Sequence, residues 1–166
     1  MKKKILILGS SSFSGASTVD FLLSRDIYKV FGTYRKKKNK FYLPYKFNKK
    51  FKKFKEFKLD LLKNTNHLVD LIERIKPQII IDFASICMVN ESWKNSEIYF
   101  KINVSSKTKM LETLYRSKYL EKYIYISTPE IFGSSDKYIE ENSTIFNPQT
   151  PYASSKLSFE LLLKNY

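Results

Sequence analysis

The stretch Lys4-Ile5-Leu6-Ile7-Leu8-Gly9-Ser10-Ser11-Ser12-Phe13-Ser14-Gly15 decides how this chain is read. The continuous apolar run closed by Gly9 fits a strand buried on both faces, as in a parallel sheet. A helical pattern follows directly, with Val19, Leu22 and Leu23 on one face. Strand, glycine loop and helix together form the geometry that receives a pyrophosphate at a helix N-terminus. Gly9 suits the tight turn, and Gly15 suits a close approach of helix to strand. Ser12 stands where a middle glycine would let the backbone reach the phosphates. Its hydroxyl can bond a phosphate instead, and Ser12 and Phe13 are read with the two glycines as the cofactor loop.

Working outward, a second strand is expected at residues 29–34. In a site for NAD, an acidic residue bonds the ribose about 20 residues after the loop. Here that place holds Gly32-Thr-Tyr-Arg35-Lys36-Lys37-Lys38. A guanidinium or ammonium there pairs with a 2′-phosphate, so Arg35 and Lys36 point to NADP in preference to NAD. Residues 36–58 then carry eleven lysines interleaved with Phe41, Tyr42, Tyr45, Phe47, Phe51, Phe54 and Phe57. Such a mixture can bind single-stranded nucleic acid. The reading preferred here is that the aromatics pack the excursion onto the domain while the lysines stay in water, with no nucleic-acid partner.

A short third strand is expected over residues 57–61. It ends in Asp60-Leu61, where the carboxylate can accept from an adenine amino group. Residues 66–76 read as a helix stopped by Pro77. Gln78-Ile-Ile-Ile-Asp-Phe83 reads as a fourth buried strand leading into Ala84, and residues 96–117 as a long helix containing Asn103. A fifth strand covers residues 123–127. Thr150-Pro151-Tyr152 reads as an N-cap, a proline at the first helical position and a helix start. This order fixes an α/β fold: a doubly wound, mainly parallel five-stranded sheet with helices on both faces. The four glycines, Gly9, Gly15, Gly32 and Gly133, all fall in or beside the proposed site segments.

With 166 residues and 43% hydrophobic content, the chain has the material of one domain, residues 1–166. Its net charge of +14 fits a solvated lysine-rich surface or an affinity for phosphorylated ligands. One cysteine, Cys87, excludes an internal disulfide, and its apolar surroundings suggest a packed side chain. The single histidine, His67, has no partner for a metal site. The apolar run after Lys2-Lys3-Lys4 is shorter than the 7–15 residues or so of a signal core, and no stretch approaches the ~20 apolar residues of a membrane span. A cytoplasmic protein without a membrane partner is expected.

The second decisive stretch runs from Thr128 to Lys156. Tyr152 and Lys156 are four apart and share a helix face. An ammonium one turn away is expected to lower the tyrosine pKa, giving a phenolate that takes a proton from a substrate hydroxyl. Thr128 can share that hydroxyl, and Glu130 offers a second base. Thr128-Pro129-Glu130 is expected at the carboxyl end of the fifth strand, where open α/β sheets bind ligands.

On these residues the chain resembles the extended short-chain dehydrogenases/reductases, the group of nucleotide-sugar epimerases and dehydratases. Ile126-Ser-Thr-Pro-Glu-Ile-Phe-Gly133 and Pro151-Tyr-Ala-Ser-Ser-Lys156 carry the likeness most specifically. The resemblance implies that Thr128, Tyr152 and Lys156 are catalytic, with Gly9, Ser12, Phe13, Gly15, Arg35, Lys36, Asp60, Leu61, Ala84, Asn103, Tyr152 and Lys156 holding NADP or NAD. Glu130 matches the base of the 4,6-dehydratases and of UDP-glucuronate decarboxylase, and Val30–Lys36 looks most like the NADP-using GDP-mannose 4,6-dehydratases. A nucleotide-sugar substrate and a homodimer are implied. Pro129 departs from the dTDP-glucose dehydratases, which have an aspartate acid there. Family members run on for roughly as long again, through the last strands and most of the sugar site, so that substrate-binding part is expected to be missing. A 4-epimerase, a decarboxylase and a non-catalytic NADP(H)-binding module remain alternatives.

Overall fold

The computed structural model describes residues 2–36, 40–63, 65–136 and 138–166. Lys37 and Lys38 of the basic run lie outside the described residues. Five strands, β1 (Lys3–Leu8), β2 (Tyr28–Tyr34), β3 (Lys55–Lys58), β4 (Ile79–Asp82) and β5 (Lys122–Tyr125), form one sheet in the order β3-β2-β1-β4-β5. All four pairings are parallel, and Ile5 stands between Val30 and Ile79. Asp60 and Leu61 lie just past β3, in the turn that follows it, rather than within the strand.

The helices are α1 (Phe13–Arg25), α2 (Thr65–Ile75), α3 (Val89–Lys94), α4 (Ser96–Phe100), α5 (Ser106–Tyr115) and α6 (Pro151–Leu163). The pattern expected over 96–117 is interrupted. A π-helical turn, Lys101–Ser105, separates α4 from α5, and α3 precedes them without a sequence signal noted above. The cap expected at Thr150 is formed, its side chain accepting from the Ala153 amide, and the structure adds a cap at Ser12, whose side chain accepts from the Gly15 amide.

At the edges of the sheet β3 and β5 are only partly covered, whereas its centre is buried on both faces. On one, Leu6, Leu8 and Ile80 pack with α2 residues Leu68, Leu71 and Ile72, with Met110, Leu111 and Leu114 of α5, and with Phe159 of α6. On the other, Ile5, Ile7 and Val30 pack with Ala16, Val19 and Leu23 of α1 and with Leu43, Tyr45 and Phe54 of the excursion. That excursion consists of three 3-10 turns, Lys40–Tyr42, Pro44–Phe47 and Phe51–Lys53. Only part of its aromatic set packs inward. Tyr45 and Phe54 are buried, whereas Phe41, Tyr42 and Phe47 are 60–74% exposed. A single layer of chain has one inward face, so residues on its other side remain in solvent.

One polar cluster is sunk into this core at the carboxyl end of β4. The Lys107 ammonium lies 2.6 Å from Asp82 Oδ2, with both side chains fully inaccessible. Lys107 Nζ also donates to the Ala84 carbonyl at 2.5 Å, Tyr123 donates its hydroxyl to Asp82 Oδ2 at 2.7 Å, and the Ala84 amide donates to Asp82 Oδ1 at 2.9 Å. Breaking a buried pair strands a charge, whereas removing both charges does not. Lys107→Met should therefore cost about 3–5 kcal/mol in urea unfolding. Asp82→Asn combined with Lys107→Met should recover most of that loss.

Candidate functional site

A cleft of about 440 Å³ opens at the carboxyl edge of the sheet. It gathers Gly9 and Ser12 from the first loop, Arg35 and Lys36 after β2, Asp60 and Leu61 after β3, and Ala84 after β4. Residues not singled out above, including Ser11, Thr33 and Ser85, line it as well. Thr33 sits beneath the loop: its hydroxyl accepts from the Gly9 amide and its carbonyl from the Ser10 amide and hydroxyl. The signal for this was only a threonine one residue after Gly32 within a strand.

The loop is shaped to admit a phosphate. Gly9 has φ +79°, and a Cβ there would stand 3.0 Å from the Ala84 amide nitrogen. A Cβ on Gly15 would fall 2.4 Å from the Gly9 carbonyl oxygen, so only glycine lets α1 start this close to β1. Ser12 accepts from Gly15 N at 3.1 Å, leaving its hydroxyl proton to donate elsewhere. Among the described residues, none accepts from the amides of Phe13 and Ser14. These free donors at a helix N-terminus fit a pyrophosphate. Phe13 itself is 88% exposed and does not line the cleft. One Asp60 oxygen accepts from Leu62 N at 3.0 Å.

Asn103 stands behind the cleft wall. Its amide is wholly buried and is shared between the Ile86 backbone, through both N–H and C=O, and the Ser155 hydroxyl at 2.9 Å. It thus ties the wall after β4 to α6. Lys107 holds the same wall through Ala84. No sequence signal marked Lys107, one lysine among many.

Thr128, Glu130, Tyr152 and Lys156 form a second group at the end of β5. Thr128 caps the 3-10 turn Pro129–Phe132, accepting from Glu130 N at 3.4 Å, and its side chain also hydrogen-bonds the Tyr152 phenol. Tyr152 is 7% exposed. Burial raises its pKa; the Thr128 hydrogen bond opposes this, while Cys87 and the Glu130 carboxylate add to it. The expected lowering by Lys156 is therefore corrected: the tyrosine is held up, because desolvation outweighs its hydrogen bond. The lysine ammonium is occupied elsewhere, donating to the Ile126 carbonyl at 2.5 Å and resting 4.2 Å over the Tyr125 ring. Cys87 also departs from expectation, since its side chain is exposed where the chain leaves the sheet edge. No helix of the described residues is long and apolar enough to cross a membrane.

The family model described as GDP-mannose 4,6 dehydratase matches residues 6–166. A dTDP-D-glucose 4,6-dehydratase of Dictyostelium discoideum is 32% identical over 126 residues, covering 68% of this chain and 28% of that protein. The UDP-Glc/GlcNAc 4-epimerase of Campylobacter jejuni superposes with a TM-score of 0.84 at 28% identity, over 98% of this chain and 48% of that one. A UDP-glucuronic acid 4-epimerase of Bacillus cereus, in complex with UDP-glucuronic acid and NAD, gives 0.80 at 27% identity, over 96% and 50%. The chain thus spans half or less of the length of these relatives.

Burial, then the like charge of Lys107, holds Lys156 down to about 8, while Asp82, Cys87 and Glu160 pull the other way. Lysine NMR titration should find its midpoint near that value. Between about 8 and the usual 10.5, the unfolded chain binds a proton here that the folded chain does not. Stability relative to Lys156→Met should consequently rise with pH across that window and be level below it.

Proposed function

The chain belongs to the GDP-mannose 4,6-dehydratase family, and from that membership we propose that it carries the nucleotide site and the catalytic residues of an NADP-preferring nucleotide-sugar 4,6-dehydratase. The observation that carries this reading is the cluster of Thr128, Glu130 and Tyr152 at the end of β5. Thr128 engages the phenol by hydrogen bond, and the Glu130 carboxylate adds to its electrostatics from the same turn. A homodimer, motivated by the family resemblance, and a cytoplasmic location, motivated by the short apolar run after Lys2-Lys3-Lys4, are part of the proposal.

The residues after β1, β2 and β3 hold the dinucleotide: loop amides at the pyrophosphate, Arg35 and Lys36 at a 2′-phosphate, and Asp60 at the adenine. When bound, a nicotinamide would supply a hydride acceptor for oxidation at the sugar C4 and a hydride donor for reduction at C6. Tyr152, as phenolate, takes the proton of the 4-hydroxyl, and Thr128 orients that hydroxyl. A buried phenol reluctant to ionise suits this step only with a cation nearby, which is the role assigned to Lys156. Glu130 removes the proton at C5, made acidic by the neighbouring 4-keto group, and water departs from C6. Pro129 has no proton to give, so the acid for that departure comes from another group.

Calorimetric titration tests the cofactor half. NADP⁺ should bind more tightly than NAD⁺, and Arg35→Ala should weaken NADP⁺ by about tenfold or more while leaving NAD⁺ unchanged. Equal affinities insensitive to Arg35 would overturn the preference.

Product analysis with GDP-mannose and dTDP-glucose tests the chemistry, in a polypeptide of full family length bearing these residues. Tyr152→Phe should lower turnover at least about 100-fold. Glu130→Gln should abolish uptake of solvent deuterium at C5. A Glu130→Gln variant that still forms 4-keto-6-deoxy product would remove Glu130 from the mechanism.

A further inference from the structure

The lysine-rich excursion between β2 and β3 has no part in the chemistry above, yet its inner side is built firmly into the fold. Tyr45 is completely buried, between Phe54 at 5.1 Å and Phe51 at 6.1 Å. Asn48 fastens the excursion to α1, donating to the Asp20 carbonyl at 3.2 Å and to its carboxylate at 2.7 Å. Lys46, next to Tyr45, is consequently held in place. Its ammonium lies 2.6 Å from Glu56 and 4.4 Å from the centre of the Phe51 ring, and only 26% of the side chain is accessible.

Lys46 faces a recess of about 130 Å³. The recess is lined by Leu43, Tyr45, Lys46 and Glu56, and by Ser11, Tyr34 and Lys36. The latter three also line the nucleotide cleft, so the recess opens from it where β2 ends. Lys36 and Lys46 against Glu56 leave one positive charge lining the recess, and Arg35 adds another in the adjoining cleft. A phosphate monoester carries about 1.5–2 negative charges at neutral pH. Glu56, which also accepts from the Tyr45 hydroxyl at 3.2 Å, fixes the position of the lysine without cancelling the local charge.

We propose that this recess receives a phosphate monoester carried on the bound nucleotide, and that the excursion supplies Lys46 to it as a specificity-determining residue. Segment 40–54 is then a wall of the cofactor site. A ribose hydroxyl in the same place would offer the ammonium a neutral partner, so discrimination falls on the phosphorylated nucleotide. The inference rests on the NADP preference proposed above.

The test is calorimetric titration with 2′,5′-ADP and with 5′-ADP, two fragments that differ in where the second phosphate sits. Lys46→Gln should weaken 2′,5′-ADP about tenfold and leave 5′-ADP within about twofold, as expected for loss of a charge-assisted contact. Lys46→Arg, which keeps the charge, should retain the discrimination, and it serves if Lys46→Gln does not fold. Lys52→Gln, the same charge change at an exposed lysine of the excursion, should alter neither affinity. If Arg35→Ala weakens 2′,5′-ADP but Lys46→Gln does not, or if Lys46→Gln weakens both fragments equally, the inference fails alone. If the wild-type chain binds both fragments equally and Arg35→Ala changes nothing, the NADP reading fails with it.

Discussion

Parallel pairing is the constraint from which the rest of this molecule follows. Parallel neighbours cannot be joined by a tight turn, so every connection must cross a face of the sheet. Each crossover returns the chain to the same end, and all five strands then finish at one edge. Gly9, Arg35, Asp60, Ala84 and Thr128 are far apart in sequence, yet each follows a different strand. Strand order puts β1 at the centre, between β2 and β4. The glycine loop after it therefore lies between the basic residues after β2 and the wall after β4. The cleft at the carboxyl edge is a geometric result of that order.

Electrostatics at the edge is governed by burial more than by pairing. Lys107 is sunk with Asp82 in the core, where its donors satisfy the carboxylate and the Ala84 carbonyl. Lys156, which also rests over the Tyr125 ring, is nearly inaccessible and donates a hydrogen bond to the Ile126 carbonyl. Two ammonium groups share one aromatic ring, and Lys156, buried without a carboxylate partner, has its pKa held down by that burial and by the charge of Lys107. Desolvation acts on Tyr152 in the opposite direction, because its charged form is the anion. Tyrosine and lysine on one helix face are thus driven apart in proton affinity by the same desolvation, the phenol upward and the ammonium downward.

The excursion shows how a surface of extreme charge is still built around an apolar side. Leu43, Tyr45 and Phe54 join the core under α1, and Asn48 ties the segment to Asp20. Lys2, Lys50 and Lys53 surround Asp26 and hold its carboxyl well below the usual range. These ion pairs are half in solvent and contribute little individually. The anchoring comes from the buried rings.

Much of the fold was legible in the chain itself. Apolar runs of strand length, the glycine loop, and Pro77 and Pro151 as punctuation are local signals, set by sterics and by side-chain period within a few residues. They determined five parallel strands, the cap of α6, and the residues at the carboxyl edge. The π turn at Lys101–Ser105, the reach of Lys107 to Asp82 and the inward set of Tyr45 were not legible, since each depends on a partner distant in sequence. So did the protonation of the site: Tyr152 and Lys156 are correctly spaced in the sequence, but the sign of each pKa shift depends on how much water the folded neighbours exclude. Spacing along a helix is a covalent property and belongs to the sequence; desolvation is a property of the surrounding packing, and only the tertiary structure decides it.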